Sequence, residues 1–157
     1  RKPSLSARRN RTPRPVSSSR ALTQGAQAAD DLLVEAAAAA ANPTEALRAI
    51  IGGFSRWHAE HYELGRIVQF EFRHLSPEHR DAVLGLRKEI DQVVAGVLRD
   101  GVETGEFEVD DVPGTALALL SMAIDVARWY APDVRRTPAD IEASYGALAV
   151  RLVRATA

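Results

Sequence analysis

Residues 76–105, SPEHRDAVLGLRKEIDQVVAGVLRDGVETG, contain the signals that decide the fold of this chain. Ser76 is a capping residue, Pro77 suits the first position of a helix, and Gly105 is typical of a helix end. Between them the apolar side chains recur at spacings of three and four, as on one face of a helix: Leu86, Ile90, Val93, Val94, Val97 and Leu98. The stretch therefore predicts one long helix over residues 77–104.

The same start signal, a capping side chain followed by proline, recurs elsewhere in the chain. It is found at residues 42–45 and 137–140, and a variant with two aspartates lies at residues 110–113. No alternating strand pattern with paired turns lies between these signals. The sequence predicts an all-α helical bundle of about six helices, over residues 21–41, 43–61, 63–75, 77–104, 112–131 and 138–155.

The first twenty residues, RKPSLSARRNRTPRPVSSSR, differ from everything that follows. They contain seven basic side chains, no acid and two bulky aliphatic residues, so they bury too little apolar surface to fold alone. We expect a disordered arm over residues 1–20. We expect one helical domain over residues 21–157, a length that suits a single core.

The charge distribution limits where this chain can contact a nucleic acid. Because seven of the 20 basic side chains lie in the arm, residues 21–157 keep the other 13 against 21 acidic side chains. Such a surface repels phosphate backbones. Any electrostatic contact with a nucleic acid therefore rests on the arm, and the candidate residues are Arg8, Arg9, Arg11 and Arg14.

The composition also indicates a compartment. The chain has no cysteine, and no apolar run reaches the roughly 18 residues that a membrane span needs. We expect a cytoplasmic protein without a membrane segment. Because position 1 is arginine rather than methionine, we also expect the chain to start inside a longer product or after processing.

The motifs for catalysis and metal binding are incomplete. Residues 58–61, HAEH, place two imidazoles three positions apart, but a zinc site needs a further ligand at a standard spacing. Residues 71–74, EFRH, form one Glu-x-x-His motif, of which a di-iron bundle needs two. Nucleophile elbows and phosphate-binding glycine loops are absent from the sequence. We expect neither an enzyme nor a bound metal or cofactor.

Two acids, Glu71 and Asp125, interrupt apolar helix faces. An inward-facing carboxylate is either a member of an ion pair, here with Arg73, Arg87 or Arg128, or a polar contact inside a cavity. We favour the ion pair. The aromatic residues at helical spacing are open to two interpretations, a core or a ligand pocket: Phe54, Trp57, Phe70, Phe72, Trp129 and Tyr130.

Residues 72–112, 127–133 and 136–153 together carry a family resemblance. They contain an RHLSPE junction, a Gly-x-x-x-Gly-x-Phe turn that ends at Phe107, and Trp-Tyr-x-Pro followed by a capped final helix with a tyrosine. In this order and spacing they resemble the C-terminal regulatory domain of TetR-family transcriptional repressors. The resemblance runs from about residue 43 to residue 155.

The resemblance implies a helical domain that binds a small hydrophobic effector in a cavity between its helices. Acyl and steroid-derived coenzyme A thioesters are among the candidate effectors. The candidate pocket residues are Phe54, Trp57, His58, His61, Ile67, Phe70, Glu71, Ile90, Val94, Ser121 and Asp125.

A homodimer through the last two predicted helices is also implied by the resemblance. The final helix is apolar on more than one side, as expected for a helix with neighbours on two sides. The candidate interface residues are Leu120, Ile124, Tyr145, Leu148, Leu152 and Val153.

Residues 1–41 depart from the pattern of the family. TetR-family repressors begin with a helix-turn-helix domain of about 45 to 50 residues, and the signature of that domain has no counterpart here. The resemblance therefore implies a regulatory domain that acts on DNA only through a reader that is not visible in this chain. The alternative is nonspecific nucleic-acid binding by the arm, carried on an inert helical body.

Overall fold

The computed structural model describes residues 15–154, and within them the side chains of residues 23–70 and 72–154. In this part of the chain all the regular structure is helical, which confirms the predicted all-α bundle of about six helices. The α-helices are α1 (Pro15–Ala39), α2 (Pro43–Glu60), α3 (Tyr62–Glu71), α4 (Pro77–Glu103), α5 (Val112–Trp129) and α6 (Pro138–Val153). A short 3-10 helix, Phe72–His74, joins α3 to α4.

The predicted start signals cap four of these helices. In each case the side chain before the helix accepts a hydrogen bond from a backbone N–H of the first turn, where the donors have no partner within the helix. These capping residues are Asn42, Ser76, Asp111 and Thr137. At α6 the cap is reciprocal, because the Asp140 carboxylate also accepts from the backbone N–H of Thr137 at 2.9 Å.

The start of α1 differs from the prediction. The helix begins at Pro15 rather than near residue 21, so it includes residues 15–20 of the predicted arm. Proline is favourable in the first turn of a helix, and residues 16–20 contain no glycine or proline that would end one. Residues 1–14, with the candidate nucleic-acid residues Arg8, Arg9, Arg11 and Arg14, lie outside the described residues, as do residues 155–157.

Helix α2 lies at the centre of the bundle and packs against α1, α4, α5 and α6. Its apolar side chains form the middle of the main core, and each fully buried Leu, Ile or Phe contributes roughly 1.5–3 kcal/mol. The core residues of α2 include Leu47, Ile50, Ile51 and Phe54. A second, smaller cluster joins the ends of α2 and α5 to α6 through Ala59, Val126, Tyr130 and Ile141.

The turn after α4 fixes the path of the chain into α5. Gly105 has a φ of 76°, a conformation that side chains with a Cβ rarely adopt. The Phe107 ring is 4% exposed and covers Gly101, where an added Cβ would overlap it. The Phe107 N–H donates to the Gly101 carbonyl at 2.9 Å. Together these contacts explain why the Gly-x-x-x-Gly-x-Phe pattern makes a compact turn.

Among the described helices, none has the length and hydrophobicity that a membrane crossing requires.

Candidate functional site

A cavity of about 400 Å³ lies between α1, α2, α3, α4 and α5. Most of its wall is apolar. The apolar lining residues and glycine are Ala26, Ala29, Phe54, Trp57, Leu64, Gly65, Val68, Val83, Leu86, Ile90, Leu117, Leu120 and Ile124. The polar lining residues are His58, Gln69, Arg87, Asp91 and Ser121. An apolar cavity with a few polar groups is the usual form of a small-molecule site.

Helix α3 forms one wall of this cavity and is held to the end of α5. The Arg66 guanidinium donates from Nε to the Ala127 carbonyl at 2.9 Å and from Nη2 to the Tyr130 carbonyl at 2.7 Å. The Gln69 side-chain amide donates to the Ile124 carbonyl at 3.1 Å. The last carbonyls of a helix lack partners within it and carry partial negative charge, so a guanidinium is a favourable partner.

His58 is the buried polar residue of the cavity wall, with 6% of its surface exposed. Its Nδ1 lies 2.9 Å from the Phe54 carbonyl oxygen, which can only accept, so Nδ1 carries the hydrogen and Nε2 carries a lone pair. Burial, with a smaller contribution from the nearby His61, lowers the pKa of His58 to about 4, although the hydrogen bond to the Phe54 carbonyl raises it. The ring is therefore neutral at pH 7.

Aromatic side chains hold the His58 ring in place. The Phe54 ring meets it edge to face at a centroid distance of 4.4 Å, and the Trp57 ring does so at 5.1 Å. Such edge-to-face pairs are favourable beyond the area that they bury. The imidazole is thus a polar group held in a fixed position in an otherwise apolar part of the cavity wall.

The charged groups of the cavity wall lie on α4, on its exposed side. The Arg87 guanidinium lies over the Phe72 ring, with 4.9 Å between its central carbon and the ring centre. Asp91 follows one turn later on the same helix. One positive and one negative side chain therefore border the cavity where α4 meets solvent.

Five of the residues predicted for a pocket line this cavity: Phe54, Trp57, His58, Ile90 and Ser121. The other 13 lining residues, which sequence reasoning missed, lie on α1, α3, α4 and α5, and a signal was available on α4. Leu86 and Arg87 precede Ile90 by four and three positions, so a helical face through Ile90 includes both. The small Ala26 and Ala29 of α1 gave no such signal.

The structure places other predicted pocket residues outside the cavity. Ile67 and Phe70 are 40% and 68% exposed, because α3 turns residues 64, 65, 68 and 69 to the cavity instead. Val94 is fully buried in the core. His61 is exposed and stacks on the Trp57 ring at 4.6 Å. The Glu71 side chain lies outside the described residues.

Asp125, also predicted for the pocket, lies in an ion pair on the surface of α5. Its carboxylate accepts from Arg128 Nε at 2.6 Å and from Nη2 at 2.9 Å, and this pairing holds its pKa below the ordinary value. The favoured interpretation of Asp125 as a member of an ion pair is confirmed. The expectation that it faces inward is wrong, because its side chain is 46% exposed.

The candidate dimer residues divide into two groups. Leu120 and Ile124 line the cavity, and Leu120 and Val153 are 3% and 1% exposed, covered by their own chain. In the single chain these three positions are covered at least in part by other helices, and their place in a dimer interface stays a prediction. Tyr145 and Leu148 are half-buried and Leu152 is 63% exposed, and they follow one side of α6.

Within the described residues, no group of three or more histidine, cysteine or acidic side chains is placed to hold a metal ion. His58 and His61 each direct Nδ1 to a carbonyl of their own helix rather than to a shared point.

Residues 40–153 match the protein family described as "Tetracyclin repressor-like, C-terminal domain". The chain belongs to the TetR family. This is a family of transcriptional regulators rather than enzymes, and effector sensing is the role of its C-terminal domain. A comparison with curated protein sequences finds no match.

Solved TetR-family structures share this fold. A tetR-family regulatory protein from Rhodococcus RHA1 is 27% identical over 89% of this chain and 74% of its own, with a TM-score of 0.81. PfmR from Thermus thermophilus is 31% identical over 85% of this chain and 75% of its own, with a TM-score of 0.72. The ketosteroid regulator KstR2 of Mycobacterium tuberculosis is 20% identical over 88% and 72%, with a TM-score of 0.81, which shows the fold alone.

Proposed function

We propose that this TetR-family domain senses a small, mainly apolar effector that binds in the cavity between α1, α2, α3, α4 and α5. The observation that carries the proposal is the cavity itself. Its volume of about 400 Å³ lies in the range of small-molecule sites, and 13 of its 18 lining residues are apolar or glycine. Through this site the domain would control DNA binding by a reader upstream of the chain.

Helix α1 is the element that would pass the signal upstream. It contributes Ala26 and Ala29 to the cavity wall, and its N-terminal end leads toward the start of the chain. Gly25 lies directly against the Leu64 side chain, so closely that a Cβ at this position would overlap it. An effector that displaces Leu64 would therefore shift α1 as well, which is the kind of helix movement that couples two sites.

The contact between α1 and α4 is weakened by a buried acid. Asp30 is 7% exposed, and its Oδ1 has no hydrogen-bond partner among the described residues. Burial raises the pKa of Asp30, and the nearby Glu89 and Asp31 raise it further. An unpartnered carboxylate opposes close packing. This supports α1 as an element that moves at a modest free-energy cost.

Known complexes of the same fold indicate the class of effector. AibR has been crystallised with isovaleryl coenzyme A and operator DNA, and FadR from Bacillus subtilis with stearoyl-CoA. Both are 19% identical to this chain. For this domain we propose an effector with an apolar acyl or steroid-like body. Arg87 is the positively charged side chain of the cavity wall that is available to the headgroup of a coenzyme A thioester.

The domain would act as a homodimer through the exposed side of α6. Tyr145, Leu148 and Leu152 follow one another at spacings of three and four, so they share a face of the helix. A stripe of this kind on a helix that already packs on α2 favours a second neighbour. A two-fold symmetric pairing of α6 would bury this stripe on both chains.

The effector proposal is tested by binding measurements on a cavity-filling variant and a matched surface variant. Ala26→Trp places an indole in the cavity wall, whereas Ala28→Trp places the same group on the exposed side of α1. Native mass spectrometry of each protein purified from cells reports bound molecules. Calorimetric titration with hexanoyl-CoA reports affinity. We expect binding to wild type and Ala28→Trp and its loss in Ala26→Trp; equal binding to all three would contradict the proposal.

A further inference from the structure

Among the polar residues of the cavity wall, His58 is distinguished by its burial and by the ring nitrogen that its Nδ1 bond leaves free, Nε2. Arg87, Asp91 and Ser121 are exposed, and the Gln69 amide nitrogen is already bonded to the Ile124 carbonyl. His58 is buried, and its Nδ1–H is bonded to the Phe54 carbonyl. No described residue makes a hydrogen bond to His58 Nε2.

The orientation of Nδ1 determines on which side of the ring Nε2 lies. Because Nδ1 faces the backbone of α2, Nε2 lies on the part of the ring that projects away from that helix. The adjacent Cδ2 lies 3.6 Å from where a Cβ of Gly65 would be, and Gly65 lines the cavity on α3. Because His58 and Gly65 both line the cavity, this edge of the ring lies at the part of the α2–α3 contact that borders the cavity.

We propose that His58 Nε2 accepts a hydrogen bond from the effector, so that among molecules with an acyl or steroid-like body the cavity prefers those that carry one hydrogen-bond donor, such as a hydroxyl group. This inference rests on the proposed effector-binding function and names the class of effector. A hydroxyl on an apolar body would pair with the one buried acceptor of the wall, while the rest of the molecule contacts Phe54, Trp57 and Ile90.

Groups that have no hydrogen-bond donor would be discriminated against. A methyl, ketone or ester group placed at Nε2 leaves the buried lone pair without a partner, and a buried unsatisfied polar atom is costly. A carboxylate at this point would also lose its hydration against a ring that offers it no hydrogen. A site built around one buried hydrogen-bonding atom therefore rejects the analogue that lacks its partner.

The test uses two probes of equal shape, 4-butylphenol and 4-butyltoluene, which differ by a hydroxyl in place of a methyl. Isothermal titration calorimetry at pH 7.5 measures the affinity of each for wild type and for three variants. His58→Leu removes the acceptor and keeps an apolar side chain, and His58→Gln keeps an acceptor in its amide oxygen. His61→Leu is the matched control, because His61 directly follows the end of the same helix and lies outside the cavity lining.

We expect wild type and His61→Leu to bind the phenol about tenfold more tightly than the toluene, the size of one satisfied buried hydrogen bond. His58→Leu should lose this preference, and His58→Gln should keep most of it. Equal affinity of wild type for both probes, or a preference that survives in His58→Leu, would overturn the role of His58 while leaving effector binding intact. If wild type bound neither probe, this would contradict the proposed function itself, and the inference about His58 would fail with it.

Discussion

Gly52 of α2 and Gly146 of α6 each lie against a backbone carbonyl of the other helix. A Cβ added to Gly52 would lie 2.7 Å from the Glu142 carbonyl oxygen, and a Cβ added to Gly146 would lie 2.7 Å from the Arg48 carbonyl oxygen. These distances are shorter than a carbon and an oxygen tolerate, and both atoms belong to rigid backbone. The two glycines therefore allow α6 to pack closely on the central helix, which fixes the side of α6 that faces outward.

Replacing Gly146 by alanine is predicted to destabilise the domain by about 1–3 kcal/mol, the usual range for overpacking a well-packed interface. The matched control is Gly85→Ala on α4, where an added Cβ has no neighbour within 4 Å. Alanine is the better helix former, so the control is predicted to stabilise by about 0.5–1 kcal/mol. Urea unfolding followed by circular dichroism measures both, and equal stability of the two variants would contradict the close crossing.

Glu106 is predicted to make stability depend on pH through its bonds to the start of α2. Its carboxylate accepts from the Thr44 hydroxyl, the Thr44 N–H and the Thr104 hydroxyl. The Thr44 hydroxyl, with the other two donors, lowers the pKa of Glu106 below its ordinary value of 4.5. The unfolded chain therefore binds a proton at a higher pH than the folded chain. The stabilisation is full above pH 4.5 and is lost as the pH falls through the folded pKa.

The measurement for Glu106 is the unfolding free energy between pH 7 and pH 3. Glu106→Gln should lose stability at pH 7 and show a shallower decrease toward pH 3 than wild type. Glu103→Gln, an exposed acid at the end of α4, serves as the comparison and should follow wild type. A pH profile of Glu106→Gln that runs parallel to that of wild type would exclude this role.

The helices were predictable because their signals are local. The capping residue and proline act within one turn, so Asn42 and Thr137 marked helix starts without knowledge of the fold. The orientation of α3 was not predictable in the same way. Leu64 and Ile67 are both apolar and belong to one helical stripe, yet Leu64 lines the cavity and Ile67 is exposed, so periodicity could not decide which one faces the cavity.

Close approaches between helices could also not be predicted from the sequence. Gly52 and Gly53 stand next to each other in one helical pattern, yet only Gly52 meets the backbone of α6, while the nearest atom to Gly53 is a Leu32 side-chain carbon at 3.7 Å. The 3.7 Å at Gly53 is the distance from an added Cβ to the Leu32 carbon, which is ordinary contact. The difference between the two glycines depends on which side of α2 the last helix crosses. In the same way, Leu120 was predicted for an interface with another chain because an apolar residue fits a cavity wall and an interface equally well.

His58 is predicted to destabilise the folded state as the solution becomes acidic. Its folded pKa is about 4 against an ordinary value of 6.5, so the unfolded chain takes up a proton below pH 6.5 and the folded chain only below about pH 4. The unfolding free energy should therefore decrease across this window by about 1.4 kcal/mol per pH unit at most, or about 3 kcal/mol in total. Chemical denaturation at intervals between pH 7 and pH 4 measures the decrease.

A variant without the titrating ring isolates this contribution. His58→Gln should show a decrease between pH 6.5 and pH 4 that is smaller than that of wild type by the amount attributed to His58. His61→Gln should retain most of the wild-type decrease, because burial, the largest cause of the lowered pKa of His58, is unchanged. If the unfolding free energy of His58→Gln decreased as much as that of wild type between pH 6.5 and pH 4, the buried neutral state of His58 would be refuted.

Asp30→Asn is predicted to stabilise the domain at pH 7. The substitution removes a charge that is buried beside Glu89 and Asp31 while the side chain keeps its shape. Because the folded pKa of Asp30 is raised, protonation relieves the same penalty in wild type, so the advantage of the variant should shrink as the pH falls toward 4. Glu35→Gln, on the exposed side of α1, is the matched control for thermal unfolding at both pH values. An Asp30→Asn variant less stable than wild type at pH 7 would contradict the prediction.

Leu152→Arg is predicted to convert the proposed homodimer into a monomer. Leu152 is 63% exposed in the single chain, so arginine is tolerated by the fold, whereas burial of a guanidinium opposite its own symmetry mate would oppose association. Leu84→Arg places the same charge on an exposed leucine of α4, away from the proposed interface, and should leave the dimer intact. Size-exclusion chromatography with multi-angle light scattering at micromolar concentration measures the mass of each. A monomeric wild type, or a Leu152→Arg protein with the mass of a dimer, would show that α6 does not form the interface.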